Sequence, residues 1–305
     1  MPMAALRGAI ERQTAHALAC GALHPIETAH TFIDDGGMRF YVRVAGNLAR
    51  KEAARLTPQT PVASGPQPPR DPFLPYEPDL FVCDLSPTHV ALLNKFNVID
   101  QHLLIVTRRY EPQEALLDAA DFTALIAALR EIDGLAFYNG GAAAGASQPH
   151  KHLQMVPLPL AGDGPRATPL EALLGSAQAV HGARPIAIVP GLAFRHAFAR
   201  LDLGPDKATP DAAAQVALDC YRALLDAAGV SAIDAGGVAH QSAPYNLLVT
   251  RKWMLVVPRT AECVEGISVN SLGFAGSFFV RNAAQLQTLT QLGPMTALER
   301  VSVAR

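Results

Sequence analysis

Cysteine, charge and long apolar runs are scarce in this sequence of 305 residues, and each shortage excludes something. The four cysteines, Cys20, Cys83, Cys220 and Cys263, lie far apart and never form a C-x-x-C pair. A disulfide framework is not expected in a chain of this size, and a cysteine zinc site lacks its spacing. Buried, reduced thiols are the expectation. Only 17% of residues are charged, the net charge is −2, and no long basic run occurs. Long-range attraction to nucleic acid or to an anionic membrane is therefore not how this protein meets a partner. No apolar run is long enough to span a bilayer, and the N-terminus lacks the pattern of a secretory leader. A soluble, cytoplasmic protein is expected. There is no P-loop lysine motif and no H-E-x-x-H, so a phosphate-bearing ligand needs a local site made from other groups.

What is present is a globular composition, half of it hydrophobic, with length for one large core or two modest ones. Leu6, Ile10 and Leu18 among alanines predict a helix over residues 1–20. Thr31 to Ile33 and Arg39 to Val44, joined by Asp34-Asp35-Gly36-Gly37, predict a hairpin whose glycines supply positive φ. From Thr57 to Pro72 the composition shifts to Pro, Gln and Ser, which predicts an extended surface loop acting as linker or lid. Leu80 to Cys83, Phe96 to Val98 and Leu103 to Thr107 predict short strands. Phe122, Leu125, Ile126, Leu129 and Ile132 follow the spacing of one buried helical face that stops at Gly134. Leu135 to Tyr138 predicts the next strand, and a glycine- and alanine-rich loop, Asn139 to Gln148, leads into His150 to Pro157.

The Pro- and Gly-rich stretch Pro157 to Pro169 marks a boundary between halves, 1–165 and 166–305. In the second half, Thr209-Pro210-Asp211 starts a helix that runs to Gly229. Tyr245 to Thr250 and Trp253 to Val257 predict a second hairpin. Gly273 to Val280 gives a mixed signal, and a closing helix begins near Ala283. No close repeat is visible. Neighbouring strands with helices set aside imply an α+β architecture with a largely antiparallel sheet.

On a strand, His150, His152 and Gln154 fall at i, i+2 and i+4 and share one face. Lys151 points the other way, where a solvated position is expected. Upstream, Gly140, Gly141 and Gly145 let the backbone approach a ligand closely, and Asn139, Ser147 and Gln148 add neutral donors for phosphate. A neutral histidine is a competent nucleophile at phosphorus near pH 7, and its phosphoramidate passes the group on in a second step. An H-x-H pair alone more often marks a metal pair or a structural feature. A metal site would need a third ligand, for which Gln154 is poorly suited, so no metal is assigned. The remaining histidines, including His102 and His240, have no motif around them and read as surface or satisfied core residues.

The run Tyr138 to Gln154 resembles the active-site segment of the histidine-triad (HIT) superfamily, in its H-x-H-x-Q transferase branch. That branch includes the diadenosine tetraphosphate (Ap4A) phosphorylases, also called ATP adenylyltransferases, and galactose-1-phosphate uridylyltransferase. Two further segments are similar to the phosphorylases in particular. One runs from Asn94 to Thr107; the other comprises Tyr245 to Trp253, Val257-Pro258-Arg259 and Gly266 to Asn270. The absence of paired cysteines speaks against the zinc-bearing uridylyltransferases.

The resemblance implies a HIT-like fold of two packed halves and a ping-pong nucleotidyl transfer. His152 would be the adenylylated nucleophile, His150 its supporting histidine, and Gln154 the residue associated with transfer over hydrolysis. Asn139, Gly145, Ser147 and Gln148 would cradle the phosphates, Asn94 would lie at the nucleoside pocket, and Lys51 would supply a basic group for the polyphosphate. The implied partners are a dinucleoside polyphosphate, ATP or ADP, and inorganic phosphate. No cofactor is obligatory, although Mg²⁺ could arrive with the nucleotide. The alternatives are a related nucleotidyltransferase using another nucleotide or a sugar-phosphate acceptor, and a non-catalytic nucleotide-binding protein.

Overall fold

The computed structural model describes residues 5–46, 71–161, 167–180, 186–204, 206 and 208–305. Its elements in the first half are α1 (Ala5–Cys20), the hairpin β1 (Thr28–Asp35) and β2 (Met38–Ala45), then β3 (Phe81–Asp84), β4 (His89–Leu93), β5 (Leu103–Thr107), α2 (Ala119–Glu131), β6 (Gly134–Gly140) and β7 (His152–Pro157). The second half holds β8 (Gln178–Ala179), β9 (Ile186–Ile188), β10 (Ala197–Arg200), α3 (Pro210–Ala228), the hairpin β11 (Ala232–Ala235) and β12 (Val238–Gln241), β13 (Tyr245–Val249) and β14 (Trp253–Pro258). It closes with β15 (Cys263–Val264), β16 (Ile267–Ser268), β17 (Ser277–Val280), α4 (Ala283–Leu292) and α5 (Pro294–Arg300).

Local chemistry sets the ends of these elements. Asp118 caps α2 by accepting from the Ala120 and Asp121 amides, and the Asp121 carboxylate in turn accepts from the Asp118 amide, a reciprocal capping box. Thr209 and Pro210 open α3, and Gly229 closes it in the left-handed region. Gly36 and Gly37 both have positive φ, which turns β1 tightly into β2. In α1 the buried residues are Leu6, Ile10 and Ala17, while Leu18 is 48% exposed. Residue 17 completes the helical stripe, and the larger neighbour falls off it.

Phe96 to Val98 is not a strand. The antiparallel partner of β5 is β4, and residues 94–102 form the connection between them. Asn94, Asn97 and Asp100 favour turns there, and the Lys95 and Asn97 carbonyls accept from His24 and Ile26 instead of a ladder neighbour. The thiol expectation also needs correction. Cys83 is buried, but Cys20 and Cys263 are exposed, Cys220 is intermediate, and all four are free. Cys20 ends α1 and Cys263 begins a two-residue strand, where little packs over them.

Ten strands form one sheet in the order β3-β4-β5-β7-β6-β13-β14-β10-β9-β8. All of its pairings are antiparallel; the parallel pair β2 and β17 lies in a separate three-stranded sheet with β1. The central order is its own mirror about the β6–β13 pair. β4-β5-α2-β6-β7 in the first half matches β9-β10-α3-β13-β14 in the second. Register carries the match down to residues: His152 pairs with Val106, and Trp253 pairs with Arg200 at the corresponding place. Gln154 faces Phe137 as Leu255 faces Leu248. The repeat is invisible in sequence because its two copies carry unrelated side chains.

One sheet face packs α1, α2 and α3 through Leu103, Ile105, Leu153, Tyr138, Leu247 and Val256. The opposite face of the second half, with Trp253, Leu255 and Val257, is covered by β2, β17, α4 and α5. On the first half that face carries His152 and Gln154 and opens into a cleft. Among the described residues, no helix is long and apolar enough to cross a membrane.

Candidate active site

His152 is the first residue of β7, and its position is fixed by its own main chain. Gln113, fully buried, accepts from the His152 amide at 2.9 Å while its amide nitrogen donates to the His152 and Asn139 carbonyls at 3.2 and 2.9 Å. The imidazole Nδ1 lies 2.7 Å from the His150 carbonyl oxygen. A carbonyl only accepts, so Nδ1 carries the proton and Nε2 keeps its lone pair. Burial pushes the ring's pKa down to about 4, against the opposing pull of the His150 carbonyl. The imidazole is therefore neutral at pH 7, as nucleophilic attack requires. Phe73 packs against it in a tilted arrangement, at 5.3 Å between centroids.

His150 precedes the strand and bridges only to Pro112. Its Nε2 donates to the Thr107 and Arg109 carbonyls at 2.9 and 3.1 Å, and its Nδ1 faces Asp71 at 2.8 Å. Phe73 and Tyr110 pack against the same ring. Held on every side and fully buried, His150 is a backbone anchor whose carbonyl sets the tautomer of His152. Asp71, Phe73, Thr107 and Gln113 had no sequence signal, since each acts through a contact far along the chain.

Two adjoining lobes make the cleft. The first, of about 350 Å³, has Phe73, Tyr76, Leu92, Leu104 and Phe96 as apolar walls, with His152, Gln154, Ser147 and Gln148 at one side. The second, of about 260 Å³, is more polar and holds Arg43, His102, Asn139 and Asn270. Asn94, Phe96, Ser147 and Gln154 border both. Among the described residues, the side chains of Ser147 and Gln148 have no hydrogen-bond partner, leaving their donors for a ligand. Gly145, at φ +91°, lies where a Cβ would come within 2.9 Å of the Asn270 Cβ. The missing side chain is what lets the loop lie this close to the second half.

The expected site residues thus divide. His152, Gln154, Ser147, Gln148 and Asn94 converge on the cleft, with Asn139 and Gly145 on its second lobe. The carbonyl oxygen of the Asn139 side chain is already taken by the Ser271 amide and by Asn246. Lys51 and most of the proline-rich stretch lie outside the described residues. Lys151 is not solvated: it is buried and paired with Asp121 at 2.5 Å and Glu111 at 3.1 Å. Burial works against its charge, but Asp121 and Glu111 outweigh that and raise its pKa. The face opposite the histidines is covered by α2, so a lysine there needs a buried carboxylate. His102 reads from sequence as one histidine among several; it is buried in the second lobe and bonded to Gln154. Among the described residues the one group of three metal-ligating side chains is His16, Cys20 and Asp79, exposed and not in the cleft lining.

A large antiparallel sheet that presents an H-x-H-x-Q segment, with its second histidine opening β7, beneath a glycine-bent loop defines a HIT-like nucleotidyltransferase. Residues 1–176 match the Ap4A phosphorylase N-terminal domain, and residues 190–304 match the ATP adenylyltransferase C-terminal domain. This chain belongs to the Ap4A phosphorylase family. It is 28% identical over 276 residues to diadenosine 5',5'''-P1,P4-tetraphosphate phosphorylase 2 of Saccharomyces cerevisiae, covering 83% of this chain and 79% of that protein. It is 27% identical over 210 residues to protein APA1 of the same yeast, covering 66% of this chain and 64% of the other. The crystal structure of yeast Ap4A phosphorylase Apa2 shares its fold, with a TM-score of 0.77, 22% identity, and coverage of 98% and 97% of the two chains. Apa2 in complex with Ap4A superposes with a TM-score of 0.73 at 22% identity, again over 98% and 97% of the chains.

Proposed function

We propose that this enzyme cleaves diadenosine tetraphosphate by phosphorolysis, through two displacements at one phosphorus. In the first, Nε2 of His152 attacks the α-phosphorus, an Nε2–P bond forms, the P–O bond to the β-phosphate breaks, and ATP leaves with that electron pair. In the second, an oxygen of inorganic phosphate attacks the same phosphorus, the P–N bond breaks, and the lone pair returns to Nε2 as ADP departs. ATP is a good leaving group at neutral pH, so no strong general acid is required. The observation that carries this reading is the His152 tautomer, with Nδ1–H held by the His150 carbonyl and an unprotonated Nε2 left for substrate. Family membership supports adenylyl transfer, and the yeast structures with Ap4A and with AMP support a nucleotide as substrate.

In this reading the apolar lobe takes an adenine, and Ser147, Gln148 and the Gln154 amide meet the α-phosphate. Lys51 neutralises the polyphosphate, Mg²⁺ enters with the nucleotide and not as a resident ion, and the enzyme works in the cytoplasm. The test is product analysis. Ap4A with phosphate should give ATP and ADP in equal amounts, and ADP should not form when phosphate is omitted. Formation of AMP at the same rate with and without phosphate would overturn phosphorolysis.

A further inference from the structure

Gln154 can help a phosphoryl group only if its carboxamide is turned the right way. The NH₂ end donates to an anionic oxygen, whereas the carbonyl end repels it. The side chain itself has no preference, so something must set the direction. The second lobe of the cleft contains the means.

The main-chain amide of Phe96 donates to Oδ1 of Asn94 at 3.4 Å, which leaves the Asn94 NH₂ facing Nδ1 of His102 at 3.1 Å. An amide nitrogen donates, so Nδ1 of His102 accepts, and its ring proton sits on Nε2. That Nε2 lies 2.9 Å from Oε1 of Gln154 and donates to it. With its carbonyl engaged, Gln154 presents its NH₂ to the cleft, where no acceptor among the described residues meets it. Donation runs one way through four groups, and it starts at a main-chain N–H, which cannot be reversed. Burial also pushes His102 down to about 4, so the ring stays neutral and Nδ1 stays an acceptor at pH 7.

We propose that His102, itself oriented by Asn94, is a positioning residue that turns the Gln154 carboxamide so that its NH₂ faces the transferred phosphoryl group. It touches neither the nucleophile's reacting atom nor the substrate in this role. It decides which end of Gln154 does. The inference rests on the reading of His152 as the group that takes up the nucleotide.

The test uses the whole enzyme and two readouts. The first is the tautomer of His102 in long-range ¹H–¹⁵N spectra of histidine-labelled protein at pH 7. A protonated Nε2 and an acceptor Nδ1 are expected. The opposite tautomer, or a doubly protonated ring, would overturn the proposal whatever the reaction proves to be. The second is a double-mutant cycle on the rate of covalent nucleotidylation. His102→Phe keeps a ring and loses the donor; it should slow that step by about 10- to 100-fold while KM changes little. His102→Gln, whose amide nitrogen reaches the place of Nε2, should recover most of the rate. In a Gln154→Ala background His102→Phe should add no further loss. An equal loss with and without Gln154, or no rescue by glutamine, would make His102 a packing residue only. If His102→Phe does not fold, Asn94→Leu supplies the same cycle from the other end of the chain.

Discussion

At the scale of single residues, the site depends on proton positions more than on charge. His152 and His102 are both held neutral by burial, with pKa values near 4 in place of the ordinary 6.5. Two consequences follow with opposite signs. Adenylylation should stay flat as pH falls from neutrality to about 5, where an exposed histidine would already be mostly protonated. Stability should not stay flat. The unfolded chain binds more protons than the folded one between the two pKa values, so stability is complete above 6.5 and is lost as pH falls toward 4. For one ring the loss is on the order of 3 kcal/mol. Denaturant melts between those pH values should show that slope, and His152→Phe should reduce it. An unchanged slope in the variant would contradict the burial argument. His152 and Gln154 are legible in sequence because an alternating strand spells out its faces. His102 is not, because its role comes from a bond across fifty-two residues that no local pattern announces.

At the scale of elements, sequence patterns identified helices and hairpins well and connections poorly. The α2 stripe, the Asp/Gly turn and the Thr-Pro-Asp helix start each depend on neighbours within a few residues, and each stands where its spacing implied. The Phe96 segment failed because its apolar residues serve a turn that docks on residues 24–26 instead of a ladder. Lys151 failed because strand alternation reveals that two faces differ, but not that α2 buries the second. The glycine loop shows what such a connection does. Gly145 combines φ +91° with a Cβ position 2.9 Å from Asn270 and 3.1 Å from the Val269 carbonyl. Gly145→Ala should cost about 2 kcal/mol of stability and displace Ser147 and Gln148, lowering kcat/KM at least about tenfold. Thermal melts with steady-state kinetics would check this. A variant with full activity would mean that the loop does not need the second half to hold its shape.

At the scale of the whole molecule, two topologically matched halves carry unequal chemistry. The second half has Trp253 and Leu255 where the first has His152 and Gln154, and its face is packed with side chains where the first half keeps a cleft. Beyond lining the second lobe of the cleft with Asn270 and Ser277, its contribution is support. Arg259, buried with its pKa lowered to about 10 by that burial, donates to the carbonyls of Val301, Ala261 and Val269 and to Asn246, which holds Asn139 and the Ala144 carbonyl of the loop. Arg259→Met should destabilise the fold by about 3 kcal/mol or more, because it strands several buried acceptors at once. A loss under about 0.5 kcal/mol, the range of a surface change, would contradict that role. The central claim remains the nucleophile. Its most direct test is to react the enzyme with Ap4A in the absence of phosphate, digest it, and map the covalent adduct by mass. AMP on His152, released as ADP when phosphate is added, is the expected result. An adduct on another residue, or turnover with no covalent intermediate in wild type and His152→Ala alike, would contradict it.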